Sequence, residues 1–145
     1  MQVSSVMSID VHAVEPEEAI QDAAVLMRSF NMGFLPVCRG SKLIGVITDR
    51  DITVRITAAG LSPTQTTVAD AMTTGVSVCS DADEVNEAAQ MMEQLQVRRL
   101  PVVNSEKHLV GVISLADIAE RTRDRKMVGE VLEQVCEPPA DGPTG

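Results

Sequence analysis

A chain of 145 residues carries about one domain's worth of sequence and can bury one sizeable core. Its 12 Lys and Arg against 21 Asp and Glu give a net charge of −9, which repels a nucleic-acid backbone, and two Phe with no Tyr or Trp leave no platform for stacking bases. The apolar fraction of 44% is ordinary for a globular protein. No apolar run approaches the roughly 20 residues of a membrane span, and no basic-then-apolar leader opens the chain, so the expectation is a cytoplasmic protein that binds neither nucleic acid nor membrane.

In chain order, the sequence states one pattern twice. Each copy opens on a short apolar segment ending in Met, Val3 to Met7 and Val68 to Met72, followed by a strand-like stretch, Val11 to Val14 and Val76 to Cys79. A helix comes next. In the first copy Pro16 suits its opening turn, Glu17 and Glu18 suit its dipole, and Ile20, Ala23, Ala24, Met27 and Phe30 form its apolar stripe. In the second, Ser80 is the expected N-cap, and Val85, Ala88, Ala89, Met92 and Leu95 repeat the stripe.

Two short apolar runs then read as a hairpin, Leu35 to Cys38 with Leu43 to Thr48, and Leu100 to Val103 with Leu109 to Ser114. A second helix is expected from about Asp49 to Ala59, ending at Gly60, with a counterpart starting near Leu115. Each unit is thus strand, helix, strand, strand, helix, and the fold class is mixed α/β (α+β), two units packed as a pseudo-twofold pair. The expected boundaries are 1–60 for the first motif, 61–67 for a linker, 68–126 for the second motif, 127–137 for a C-terminal amphipathic helix and 138–145 for a disordered tail.

Cys38, Cys79 and Cys136 are odd in number and far apart, and His12 and His108 stand alone, so neither a disulfide framework nor a zinc site is visible. Cys38 and Cys79 fall in apolar runs and read as small hydrophobes, while Cys136 near the tail is the candidate for an exposed, redox-active thiol.

The runs GVITDRDI (Gly45 to Ile52), GVISLADI (Gly111 to Ile118), GFLPV (Gly33 to Val37) and VRRLPVV (Val97 to Val103) resemble the CBS domain pair, or Bateman module, over nearly the whole chain up to about Arg121. The TDRDI run before an Ala-Ala-Gly linker looks most like short stand-alone bacterial CBS-pair proteins, including the hypoxic-response type. The resemblance implies a regulatory, non-enzymatic module, often homodimeric, that binds an adenosine-containing ligand such as AMP, ADP, ATP or a related adenosyl compound, with no obligatory cofactor.

The repeated motif has its own chemistry. Thr48 ends a strand and Asp51 follows in the first turn of a helix; Ser114 and Asp117 repeat the arrangement. A carboxylate can accept hydrogen bonds from both hydroxyls of a ribose cis-diol, and the nearby side-chain hydroxyl can reach sugar or phosphate. The same spacing also makes a helix capping box, which requires no ligand.

By the resemblance, each ligand lies in a cleft between the copies. The cleft of Thr48 and Asp51 takes Gly75, Val76, Val97 and Arg98. That of Ser114 and Asp117 takes Ile9, Val11, Met32, Gly33 and Phe34, with Arg99 reaching toward it from its own copy. Adjacent arginines suit a phosphate, because a guanidinium binds it bidentately. The first copy has Gly33-Phe34 where the second has Arg98-Arg99, so the expected clefts differ in charge, that of Asp51 being the more basic. Asp49 and the overall acidity favour an AMP-like over an ATP-like ligand.

No catalytic constellation is present in the sequence. The leading expectation is a nucleotide sensor acting on a separate, unknown protein partner. The alternative is a ligand-free dimeric scaffold or stress-response protein, with a redox or metal response through Cys136 as a third reading.

Overall fold

The computed structural model describes residues 1–137, so the expected disordered tail lies outside the described residues. The chain is a mixed helix and strand fold that forms two compact units, and these are not the two sequence copies. A first-copy unit holds residues 10–77 with 106–109; a second-copy unit holds residues 1–9, 78–105 and those from 110 onward.

In the first-copy unit, the strand expected at 11–14 is reduced to one parallel bridge, Val14 to Val37. Two bonds close it, Val14 N–H to the Pro36 carbonyl at 3.0 Å and Cys38 N–H to the Val14 carbonyl at 2.9 Å. Helix α1, Ile20–Phe30, starts four residues after Pro16 rather than at it. The cause is competition for the backbone: the Pro16 and Glu18 carbonyls accept the N–H groups of Ala69 and Val68, at 2.9 and 2.8 Å, in helix α3 (Val68–Ala71). Of the predicted stripe Ile20, Ala23 and Met27 are buried, whereas Ala24 and Phe30 are exposed. Asn31 ends the helix at φ 51°, a left-handed conformation that asparagine tolerates better than most residues.

Strands β1 (Phe34–Arg39) and β2 (Lys42–Thr48) form the expected antiparallel hairpin, with Phe34 opposite Thr48 and a register shift at Val37/Cys38. The helix that follows departs from expectation. Only Asp49–Asp51 is α-helical (α2), and Ile52–Thr57 continues as a π-helix, with Ala58 N–H bonded to the Thr53 carbonyl at 2.9 Å. Five of its six residues are β-branched, a composition that crowds the preceding turn of a tight helix, and the Thr53 hydroxyl takes the Asp49 carbonyl at 3.0 Å. Its counterpart α5, Leu115–Thr122, contains two alanines and fewer branched residues, and remains α-helical.

In the second-copy unit, a 3₁₀ turn at Val3–Ser5 precedes the two-residue strand β3 (Cys79–Ser80), which runs parallel to β4 (Arg99–Val103). Strand β5 (Leu109–Ser114) completes the sheet in the order β3-β4-β5. Ser80 does not cap the next helix as expected. Its hydroxyl accepts Ala82 N–H at 3.2 Å in a local turn, and α4 (Val85–Leu95) is capped instead by a reciprocal pairing of Glu84 with Glu87. The C-terminal helix α6, Arg125–Cys136, is capped by Asp124, whose carboxylate accepts Met127 N–H at 3.0 Å. It packs on α4 and α5, with Val131 1% exposed.

Each core is completed by the other copy's opening segment. Val3 and Val6 join Cys79, Val85, Met92, Leu100 and Ile118 in one core. Val68 and Ala71 join Val14, Ile20, Leu35, Ile47 and Ile56 in the other. A repeat this small does not close a stable core on its own residues, and the exchange supplies the missing side chains.

Candidate functional site

The Thr48–Asp51 corner is built where β2 turns into α2. Asp51 N–H donates to Thr48 Oγ1 at 3.0 Å, and Thr48 N–H donates to Asp51 Oδ2 at 3.0 Å. This reciprocal pair is the capping box that the spacing allowed, and it holds the carboxylate in one rotamer. The Asp51 side chain is 14% exposed, with Arg55 Nε 3.8 Å from Oδ1. Arg55 Nη1 in turn donates to the carbonyls of Ala71 at 3.4 Å and Met72 at 3.2 Å. Sequence reasoning did not place Arg55 at the site; its signal is the i,i+4 spacing from Asp51, repeated by Arg121 after Asp117.

Gly33 and Phe34 share that corner. The Gly33 carbonyl accepts Asp49 N–H at 3.0 Å and Phe34 is register-paired with Thr48. Met32 is half-buried against the same core. Gly75 and Val76 belong to the same unit and follow the antiparallel bridge that joins Thr73 to Val46 of β2. Val11, half-buried, also belongs to this unit.

The second corner repeats the geometry. Ser114 N–H donates to Asp117 Oδ2 at 2.9 Å, and Asp117 N–H to Ser114 Oγ at 3.0 Å. Here Arg98 and Arg99 adjoin the start of α5, because the Arg98 carbonyl accepts Leu115 N–H at 2.9 Å. Val97 is half-buried against the core. Ile9 is 77% exposed in this unit and directly follows the antiparallel bridge of Ser8 to Val112 in β5.

The two corners therefore differ in charge within their own units. The first has Asp49 beside Gly33; the second has buried Leu115 beside Arg98 and Arg99. In both, one carboxylate oxygen is held by the cap while the carboxylate retains further acceptor sites, and the hydroxyl that accepts the cap N–H keeps its proton to donate.

The thiols fall into two classes. Burial raises the Cys38 pKa, and burial with the nearby Asp83 charge pushes Cys79 up to about 12, so both are inert hydrophobes, whereas Cys136 is exposed. His12 stacks on Phe30 with ring centroids 3.6 Å apart. Among the described residues no group of three or more His, Cys, Asp or Glu could hold a metal ion, and no helix is long and apolar enough to cross a membrane.

A family model described as "CBS domain" matches residues 3–57 and again 68–124. The chain is 37% identical over 133 residues to the CBS domain-containing protein YhcV of Bacillus subtilis, covering 92% of this chain and 94% of that one. It is 35% identical over 136 residues to Hypoxic response protein 1 of Mycobacterium tuberculosis, covering 93% and 94%. Among solved structures, Hypoxic Response Protein I with two coordinated zinc ions matches with a TM-score of 0.77 at 34% identity, over 83% of this chain and 98% of that one. CBSX2 in complex with AMP matches at 0.75 and 25%, over 86% and 98%. The CBS domain pair of MJ0100, in complex with 5′-methylthioadenosine and S-adenosylmethionine, matches at 0.72 and 25%, over 83% and 98%. With both sequence copies matched end to end and relatives aligned over nearly their full length, this chain belongs to the CBS domain family.

Proposed function

We propose that the chain is a regulatory module that senses an adenosine-containing nucleotide, AMP-like rather than ATP-like, and acts on a separate protein. The observation that carries this reading is the duplicated corner, in which Asp51 and Asp117 are each fixed by a capping box yet keep acceptor capacity for a ribose diol. Thr48 and Ser114 supply hydroxyl donors, and Arg98 and Arg99 supply charge for a phosphate. The proposed ligand walls are the two residue sets expected from the sequence, and the similar structures of CBSX2 in complex with AMP and of the MJ0100 CBS pair in complex with 5′-methylthioadenosine and S-adenosylmethionine support the ligand class. Catalysis forms no part of the reading.

Regulation follows from differential affinity: a ligand that prefers one conformation shifts the population competent for the partner. Val25, Phe30 and Val54 remain exposed on the first-copy unit, which supports a homodimer. The free thiols Cys38, Cys79 and Cys136 are consistent with a cytoplasmic setting.

A second reading, a ligand-free scaffold or stress-response protein, is favoured by the same capping boxes, which already satisfy the two helix starts. A thermal-shift screen with AMP, ADP, ATP and S-adenosylmethionine separates the two. A ligand at a hundred times its Kd adds about 2.7 kcal/mol of stability, a rise of roughly 5–10 °C in a protein of this size. No rise with any of the four, in a protein that remains dimeric, selects the scaffold.

A further inference from the structure

We propose that the C-terminal turn of α6 is a strap that competes with the nucleotide's phosphate for Arg98, so that ligand binding and release of this turn are coupled. The inference rests on the nucleotide reading above. Its observations all lie in the second-copy unit. Arg98 Nη2 donates to Cys136 Sγ at 3.4 Å. Two residues earlier, Gln96 Nε2 donates to the carbonyls of Gln134 at 3.2 Å and Glu137 at 3.1 Å. These carbonyls belong to the end of α6, where the last carbonyls of a helix are open to outside donors; that of Gln134 also accepts the Glu137 N–H at 3.3 Å.

The segment from Gln96 to Arg98 is thus bound to the last turn of α6 by three hydrogen bonds, all between exposed side chains and the helix end. Gln96 is also the left-handed residue that ends α4, at φ 54°, so its backbone is set by the helix stop and its side chain by the strap. The guanidinium that serves the phosphate in the proposed function is therefore already engaged by a sulfur, a weak acceptor that a phosphate oxygen displaces. At its other end α6 leaves a depression of about 400 Å³ against α4, bordered by Asn86, Gln90, Glu93 and Glu130. The helix is tied at its C-terminal end by these three bonds, while Val131 and the half-buried Val135 seat it on the core.

The test is AMP binding to the full chain by calorimetry, joined to hydrogen exchange of residues 131–137. Cys136→Ala removes the competing acceptor, and Gln96→Asn shortens the tether while keeping a residue that tolerates the left-handed conformation. Each variant is expected to bind AMP about 2- to 10-fold more tightly than the unaltered chain, the range of one ordinary hydrogen bond, and Arg98→Ala to bind more weakly. AMP is expected to speed exchange in 131–137. Unchanged affinity in both strap variants, slower exchange with AMP, or full affinity in Arg98→Ala each overturns the strap while leaving the nucleotide reading in place. Absence of AMP binding in every variant overturns the nucleotide reading and the strap with it.

Discussion

The two Gly-Val-Ile runs make a quantitative prediction about the exchanged segments. A Cβ added to Gly45 would lie 2.6 Å from the Thr73 carbonyl oxygen, where ordinary contact begins at 3.4 Å, so the crossing chain must retreat by about 0.8 Å. That retreat strains a pair of bonds, Val46 N–H to Thr73 O at 3.0 Å and Thr73 N–H to Val46 O at 2.8 Å. Overpacking costs roughly 1–3 kcal/mol and two weakened hydrogen bonds add a fraction of their usual worth, so Gly45→Ala should destabilise by about 2–4 kcal/mol, or roughly 5–15 °C in Tm.

Gly111→Ala should behave alike. Its Cβ would meet Met7 Sδ at 2.7 Å, which can swing away, but also the Ser8 carbonyl at 2.8 Å, which is held by its bridge to Val112. Two controls complete the series. Gly33→Ala meets only the movable Asp49 carboxylate, at 2.6 Å, and should cost under about 1 kcal/mol. Gly129→Ala, within α6 with nothing inside 4 Å, should stabilise by about 0.5–1 kcal/mol. Urea denaturation of the four variants measures the order, and a Gly45→Ala protein within about 0.5 kcal/mol of the unaltered chain would refute the crossing as drawn.

The caps and the thiols give further predictions. Ser114→Ala removes the acceptor for Asp117 N–H and should lower stability by about 0.5–2 kcal/mol, read by the same denaturation. In the native protein a disulfide reagent should titrate one thiol, Cys136, and in urea three; rapid native labelling of Cys79 would contradict its burial. Because the folded state raises the Cys79 pKa from 9.0 to about 12, its contribution to stability is complete below pH 9 and declines as pH rises from there toward 12, which denaturation at pH 8 and 10.5 detects.

The parts of the fold legible in the sequence were those governed by local period. The central residues of the α1 and α4 stripes are buried as spacing put them, because a 3.6-residue repeat of apolar side chains states which face is buried, while the stripe ends at Phe30 and Leu95 are exposed. It does not state what covers that face. The exchange of Val3 and Val6 for Val68 and Ala71 between sequence copies is a long-range fact with no local signature. Helix starts misled where backbone groups were claimed by distant chain, as at Pro16, whose carbonyl serves Ala69. The π-helix at Ile52–Thr57 had a signal in its run of β-branched residues, but that composition also suits a strand.

At the corners the spacing of Thr48 with Asp51 and Ser114 with Asp117 gave both the capping geometry and the ligand hypothesis, since one carboxylate serves both. The tie between Gln96, Arg98 and α6 was not legible, because it joins residues 38 and 41 positions apart.

The central claim is that these carboxylates do more than cap helices, and replacing each with asparagine separates the two roles. Asn keeps an oxygen that accepts the Thr48 or Ser114 N–H, so the cap persists, but it loses the charge and the second acceptor oxygen offered to a diol. Calorimetric titration of AMP into the Asp51→Asn/Asp117→Asn protein is the direct measurement. The expected result is a stability near that of the unaltered chain with affinity lowered roughly 10- to 100-fold, the worth of a charge-assisted hydrogen bond. Equal AMP affinity in the two proteins would contradict the account, leaving Asp51 and Asp117 as caps alone.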